Sequence, residues 1–140
     1  MSGGQLNLQK QDFLNAFAES LQNLRNSDEL FDVTLACEDE TIEAHKFVLS
    51  SNSAFFKEVF KKTPKSNPFV YLKGIRHKDL IALLDYMYTG ETEVPTENLA
   101  RVFQVAKDLK IKGLVDDEEN IEGFTLKYDD GETVAVREFH

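Results

Sequence analysis

The chain has 140 residues, 41% of them hydrophobic, which is enough to bury a single core in one domain. Its 25 acidic and 16 basic residues give a formal charge of −9, which opposes contact with a phosphate backbone and argues against nucleic acid as a direct partner. One cysteine excludes an intrachain disulfide, and the lack of a long apolar run predicts a soluble protein with no membrane contact.

The N-terminal third predicts one helix and one hairpin. Residues 1–11 form a lead in which Leu6 and Leu8 can build a short edge strand. Apolar residues then recur at helical spacing after Asp12, a candidate N-cap; they are Phe13, Leu14, Phe17, Leu21 and Leu24. Apolar and polar residues alternate over 31–37, and a second short alternation over 41–44 predicts a β-hairpin.

The middle of the chain predicts three helices and a strand. Two short helical patterns cover 46–51 and 53–60, and Ser53 is placed to cap the second of them. The residues from 69 to 72 predict a compact apolar strand. A strongly apolar helix then runs to Tyr88 and is expected to stop at Gly90.

The compact domain is predicted to close with a short edge strand over 91–94 and a last helix. That helix starts after Pro95 and continues at helical spacing to Gly113. The acidic run 116–119 follows, so we place the domain over 12–115 and a separate tail over 116–140.

The tail carries the alternation of a hairpin. A three-residue loop at 129–131 would put its apolar residues on one face, whereas a two-residue loop at 130–131 would mix the faces. The residues of that face are Phe124, Leu126, Val134 and Val136. We expect the face to dock on the domain or on a neighbouring chain. The alternative is an unstructured linker with vector-derived ends.

Patterns that would indicate catalysis or a metal are missing from the sequence. His45, His77 and His140 are widely separated, and no second cysteine completes a zinc pattern. Cys37 falls on the apolar phase of a predicted strand, which favours core packing over nucleophilic chemistry. No phosphate-cradling glycine motif is present. We therefore expect no enzyme activity and no cofactor.

Two charged residues lie in unusual places. Asp32 falls inside the first predicted hairpin strand, and Lys46 begins the next helix. They either pair at a buried or interfacial position or lie separately on solvated faces, and the pattern leaves both possibilities open.

Several stretches between residues 12 and 114 resemble one known family. The strongest comprises Phe31, Asp32, Val33, Thr34, Leu35, Ala44, His45, Lys46, Val48, Leu49 and Ser50, with Ser53, Phe55, Phe56 and Phe60 behind it. Together these residues resemble the BTB/POZ domains of the Broad complex, Tramtrack and Bric-a-brac type. Two further stretches, 83–91 and 109–114, resemble the Tramtrack group in particular.

The resemblance implies an α+β BTB/POZ fold, in which a helical cluster is flanked by a small, mostly antiparallel sheet. It also implies dimerisation through the first helix, with an N-terminal strand exchanged onto the partner's sheet edge. The implied dimer interface consists of Leu6, Leu8, Phe13, Leu14, Phe17, Leu21 and Val94. Asp32 and Lys46 would form a charged pocket near the dimer seam, and His45 would be a packing residue.

The function implied is self-association of a nuclear transcription or chromatin regulator. Its partners would be a second copy of the chain, other BTB domains or co-regulator proteins. The alternative is a substrate adaptor for a cullin ubiquitin ligase, which would use the face near Phe60 to Asn67. Lys61 to Asn67 lacks the Glu that adaptors resembling this class tend to carry there.

Overall fold

The computed structural model describes residues 3–38, 40–114, 124–129 and 132–137. In chain order these residues form helix α1 (Phe13–Asn26), strands β1 (Val33–Cys37) and β2 (Glu40–Ala44), helices α2 (Lys46–Asn52) and α3 (Ala54–Lys62), strand β3 (Phe69–Tyr71), helix α4 (His77–Thr89), strand β4 (Glu93–Pro95), helix α5 (Leu99–Asp108), and strands β5 (Phe124–Asp129) and β6 (Glu132–Arg137). A 3-10 turn, Thr96–Asn98, leads into α5. The predicted α+β class is confirmed.

The strands form two three-stranded sheets. In the first, ordered β2-β1-β3, β1 is antiparallel to β2 and parallel to β3. This confirms the hairpin predicted from the first alternation, although β1 begins at Val33 rather than at Phe31. In the second sheet, ordered β4-β6-β5, both pairings are antiparallel. The parallel β1–β3 pair is thus the exception in a mostly antiparallel arrangement.

The C-terminal hairpin extends the strand β4 of the same chain. Glu93 lies opposite Val134 in that pairing. Within the hairpin, Leu126 lies opposite Ala135 and Asp129 opposite Glu132, so the loop has two residues, which themselves lie outside the described part of the chain. The expected three-residue loop, with Leu126 facing Val134, is therefore wrong.

Loop chemistry and a third strand explain this register. An Asp-Gly pair is a preferred two-residue hairpin turn, because its backbone twist matches that of the flanking strands. The three-residue loop was expected because it puts the apolar residues on one face, and an isolated hairpin, which is marginally stable in water, needs such a face to pack against another surface. Pairing with β4 supplies a third strand, so the register is not set by that face alone.

Helix ends agree with the sequence at Ser53 and Gly90 and disagree at Asp12 and at the end of α5, which is Asp108 rather than the predicted Gly113. The Ser53 hydroxyl accepts a hydrogen bond from the Phe56 main-chain N–H at 3.0 Å, which confirms the predicted cap. Gly90 ends α4 with a φ of 92°, the left-handed conformation expected of that glycine. Asp12 precedes α1 but does not cap it. Its φ is 53°, outside the extended region of a capping residue, and its carboxylate accepts from the Asn15 side chain instead.

The core lies between β1 and the helices α2 to α5. Its fully buried side chains include Leu35, Leu49, Phe56, Leu80, Leu83, Leu84 and Ile111. Cys37 is also fully buried, as predicted. Burial raises the pKa of its thiol, and the neighbouring Glu38 and Glu40 act in the same direction. The thiol therefore stays protonated and packs as a small apolar group.

His45 joins three distant segments of the chain. Its Nε2 lies 2.8 Å from the Glu29 carbonyl oxygen, which can only accept, so Nε2 carries the proton. Its Nδ1 then accepts from the Tyr88 hydroxyl at 2.5 Å, and that hydroxyl accepts from the His45 main-chain N–H at 3.1 Å. Burial is the main effect on Tyr88 and raises its pKa, so the hydroxyl keeps the proton that it donates.

A buried ion pair connects α4 to α5. Asp79 is 1% exposed, and its carboxylate accepts from Arg101 Nε at 2.6 Å. Arg101 Nη2 also donates to the Asn98 side chain at 2.8 Å. The hydrogen bond to Asp79 raises the pKa of Arg101, so the guanidinium stays charged. Asp79 was not singled out from the sequence, because an acid in the first turn of a helix is ordinarily solvated.

We expect Tyr88→Phe to lower the free energy of unfolding by about 1–3 kcal/mol, because it leaves two polar groups of His45 buried without a partner. Urea denaturation followed by circular dichroism measures the change. Tyr71→Phe is the matched control: Tyr71 is 59% exposed, and its loss of a hydroxyl should change stability by less than about 0.5 kcal/mol. Equal stability of the two variants would contradict the role given to His45.

Candidate interaction surface

Apart from the ring contact of Phe17 with Phe47 of α2, the contacts of helix α1 with the domain lie near its C-terminal end. None of its residues is buried in the single chain. Near its C-terminal end, Leu21 packs against the core and the Arg25 guanidinium lies 2.9 Å from the Asp85 carboxylate. Arg25 also lies over the ring of Tyr88, 4.6 Å from its centroid. The N-terminal half of the helix therefore projects with its apolar residues uncovered.

Four apolar side chains form an exposed patch at this projecting end, which we call the α1 surface. Phe13 is 53% exposed, Leu14 78%, Phe17 44%, and Phe47 of α2 60%. The rings of Phe13 and Phe17 lie 6.0 Å apart, and those of Phe17 and Phe47 meet edge-on at 6.3 Å. These aromatic contacts hold the patch in one arrangement.

Phe47 was missed from the sequence. Its position at the start of a short helix could have indicated that its side chain is exposed. The next two residues, Val48 and Leu49, are the buried ones, so position 47 has to point away from the core. Packing within the core of its own chain does not explain a large aromatic side chain at such a position.

The structure distributes the predicted interface residues unequally. Phe13, Leu14 and Phe17 lie together on the α1 surface, whereas Leu6 and Leu8 are over 85% exposed and lie outside any strand. Leu21 packs partly on its own core, as described above. Val94 also disagrees with the expectation, because its side chain is 3% exposed within the core of its own chain. At Val94 itself, a partner could contact the backbone of β4 but not the side chain.

Asp32 and Lys46 meet, but not as the predicted ion pair. The Asp32 carboxylate accepts from the Lys46 main-chain N–H at 2.7 Å, at the first residue of α2. The Lys46 ammonium instead lies 3.3 Å from the Lys65 carbonyl oxygen and 6.0 Å from the ring centroid of Phe60. Both residues are half-buried. Asp32 thus serves as a helix cap supplied from a distant part of the sequence, and a charge at a helix N-terminus needs no second ion to be stabilised.

The described residues offer little that resembles an active site. In that part of the chain, no group of three or more His, Cys, Asp or Glu side chains is arranged to hold a metal ion. Across the same residues, no helix is both long and apolar enough to cross a membrane. Of the buried side chains that could be reactive, His45 is engaged in internal hydrogen bonds and Cys37 is packed in the core.

Replacing the Asp32 carboxylate tests its role as a cap. Asp32→Ala should lower the free energy of unfolding by about 1 kcal/mol, because it removes the acceptor of the Lys46 N–H. Asp32→Asn keeps a side-chain oxygen and should lose less. Lys46→Gln should change stability by less than about 0.5 kcal/mol, because the cap uses only its main chain. Thermal melting of the three variants separates a cap from an ion pair, since an ion pair would make Lys46→Gln as costly as Asp32→Ala.

Comparison with known proteins places this arrangement in one family. The model of the BTB/POZ domain matches residues 21–122. The chain is 38% identical over 120 residues to the Drosophila melanogaster Longitudinals lacking protein-like, a match that covers 86% of this chain and 94% of that protein. It is 42% identical over 93 residues to Protein tramtrack, alpha isoform, of the same organism, which covers 66% of this chain but only 11% of the relative.

A solved structure agrees with these relatives. The BTB domain of zebrafish PATZ1 superposes with a TM-score of 0.68 at 25% identity, covering 77% of this chain and 89% of that one. The sequence resemblance to BTB/POZ domains, and to the Tramtrack group among them, is thereby confirmed.

Proposed function

This chain belongs to the BTB/POZ family, a class of protein-interaction domains, and we propose that it is the self-association module of a nuclear transcription or chromatin regulator. The observation that carries this is the α1 surface, a patch of exposed apolar side chains held in place by aromatic contacts. The nuclear role is inferred from the likeness to Tramtrack-group proteins. Regions that bind DNA would lie on other segments, because this chain carries a charge of −9.

A second copy is the partner that best fits the α1 surface. A patch of this kind on a single chain marks a contact site, because water-exposed apolar area is otherwise unfavourable. A two-fold axis beside α1 would place Phe17 of each copy against the other copy's patch, so that both surfaces are covered in one step. Residues 13–18 of α1 carry no charge, and Asp12 lies before the first turn, where it bonds to Asn15, so the apolar side chains of two copies can meet without a charge between them.

Exchange of the N-terminal lead would add to this dimer. Strand β4 is the outer strand of its sheet and pairs on one side only, with β6. Its other edge is therefore able to accept residues 6–8 of a partner, whose Leu6 and Leu8 are fully exposed in the single chain. Backbone pairing of this kind does not require the Val94 side chain to leave its core.

The oligomeric state tests this function. Light scattering after size exclusion should give at least twice the chain mass of 16.0 kDa at micromolar concentration. Phe17→Asp should weaken self-association by about 100-fold or more, because it places a charge in the centre of a desolvated interface. The matched control is Phe69→Asp, which makes the same change at a residue that is 65% exposed on β3. A monomeric wild type, or loss of assembly in both variants, would contradict the α1 surface as the contact.

The cullin adaptor is the competing function, and binding decides between them. A purified cullin N-terminal domain, added to the chain at about 10 μM, should not be retained in a pull-down. The last turn of α3 carries Lys61 and Lys62, the loop before β3 carries Lys65, and neither segment contains an acidic residue from position 61 onward. Retention of the cullin that is lost on Lys61→Glu would favour the adaptor instead.

A further inference from the structure

Strand β3 presents an unoccupied sheet edge. It is the outer strand of the β2-β1-β3 sheet. On the side toward β1, the Pro68 carbonyl oxygen accepts a hydrogen bond from the Thr34 N–H at 3.1 Å, and the Leu72 N–H donates to the Ala36 carbonyl oxygen at 2.8 Å. Main-chain groups of successive residues point to opposite sides of a strand, so even-numbered positions of β3 bond to β1. The N–H and C=O groups of Phe69 and Tyr71 therefore point outward, and the described residues supply no partner for them.

The side chains at this edge are apolar and exposed. Phe69 is 65% and Tyr71 59% exposed, and they lie on one face because they are two residues apart. Val70 between them packs against the core, which fixes the orientation of the strand. At the C-terminal end of β3, a cleft of about 350 Å³ has Phe55, Tyr71 and Lys73 in its wall, together with Arg101 and Asp108 of α5. One side chain of a bound segment would fit into that cleft.

The segment of the chain that contains β3 is positively charged, whereas the chain as a whole is negatively charged. The twenty residues 59–78 contain six Lys or Arg and no Asp or Glu, in a chain of net charge −9. All six are exposed: Lys61, Lys62, Lys65, Lys73, Arg76 and Lys78. Of these six, only Lys62 has an acidic ion-pair partner within the described part of the chain, Glu58 at 3.9 Å. The positive charge is therefore available to an external group.

The opposite edge of the same sheet provides a contrast. Strand β2 exposes Glu40 and Glu43, and a charged edge of this kind discourages pairing with other strands. Strand β3 lacks any charged residue between Pro68 and Lys73. An acidic segment would thus be repelled at β2 and attracted at β3.

We infer that the β3 edge binds an extended, acidic peptide segment of a partner protein by adding it as a fourth strand. Two outward N–H and two outward C=O groups match the backbone of another strand, and the flanking lysines match carboxylates at both ends of it. A second copy of β3 fits less well, because two copies would bring their lysine clusters together. Nucleic acid offers acceptors to the lysines but no N–H row to pair with the two outward carbonyls.

A designed peptide tests this site. We would use a fluorescein-labelled peptide of sequence DEVTVTVED, with KKVTVTVKK and a single-stranded DNA nonamer as controls. The acidic peptide should bind with a dissociation constant of roughly 10–500 μM, and both controls at least about tenfold more weakly. Hydrogen exchange of the Phe69 and Tyr71 amides should slow about tenfold, while that of Val70, already bonded to β1, should not change.

Two variants locate the binding. Lys65→Glu with Lys73→Glu should weaken the acidic peptide at least about tenfold, whereas Lys10→Glu with Lys112→Glu, an equal change of net charge elsewhere on the surface, should not. Tyr71→Pro should also weaken it, because proline removes an outward N–H without touching the ladder to β1. Phe17→Asp should bind the peptide normally, so this result does not depend on self-association.

Three outcomes would overturn the inference. These are equal binding of the DNA or the basic peptide, unprotected Phe69 and Tyr71 amides at about 1 mM acidic peptide, and equal affinity of the two double-lysine variants. A fall in oligomer mass on Phe69→Asp would assign the edge to a second copy instead.

Discussion

The hydrogen bonds of His45 hold together the segment after α1, the start of α2 and helix α4. Glu29 and Tyr88 are its two partners, and Arg25 lies on the same Tyr88 ring while it pairs with Asp85. The C-terminal end of α1 is therefore fixed by polar contacts around one buried histidine. Because these polar contacts involve only the last turns, the first turns of α1 keep apolar residues exposed, and their ring contact with the domain is that of Phe17 with Phe47. The α1 surface is a consequence of where the anchor lies.

The two exposed apolar regions of this domain differ in what surrounds them. The α1 surface is almost free of charge, so two copies can meet across a symmetry axis without repulsion. The β3 strand is flanked in the sequence by lysines, which would disfavour a second copy and attract the acidic chain that we infer as its partner. The two regions also differ in what they expose. The α1 surface exposes apolar side chains, which are stabilised by burial, whereas the β3 edge also exposes main-chain N–H and C=O groups, which are stabilised by hydrogen bonds. This difference in charge and in exposed groups is the basis on which we assign the α1 surface to self-association and the β3 edge to a different protein.

Local patterns predicted most of the fold, because a helix or strand that buries one face has apolar residues at a regular spacing, and this spacing is visible in the sequence. The β1–β2 hairpin, the Ser53 cap and the Gly90 stop all follow from such short-range signals. Long-range contacts were not predictable in the same way. The charges of Asp32 and Lys46 suggested an ion pair, but a carboxylate can also accept from a main-chain N–H, and the sequence does not distinguish these partners. The buried Asp79–Arg101 pair was missed for the same reason, since it depends on how α4 meets α5.

The position of the C-terminal hairpin bears on strand exchange. Each strand in a sheet has two edges, and β6 occupies one edge of β4. Addition of the hairpin and addition of a partner's residues 6–8 are thus compatible, because they use different edges. The acceptor edge is nevertheless short. Strand β4 has three residues, and Pro95 has no N–H to donate, so Glu93 and Val94 must supply the donors. A contact this small would not hold the proposed dimer alone, so burial of the α1 surface would be the main source of its stability.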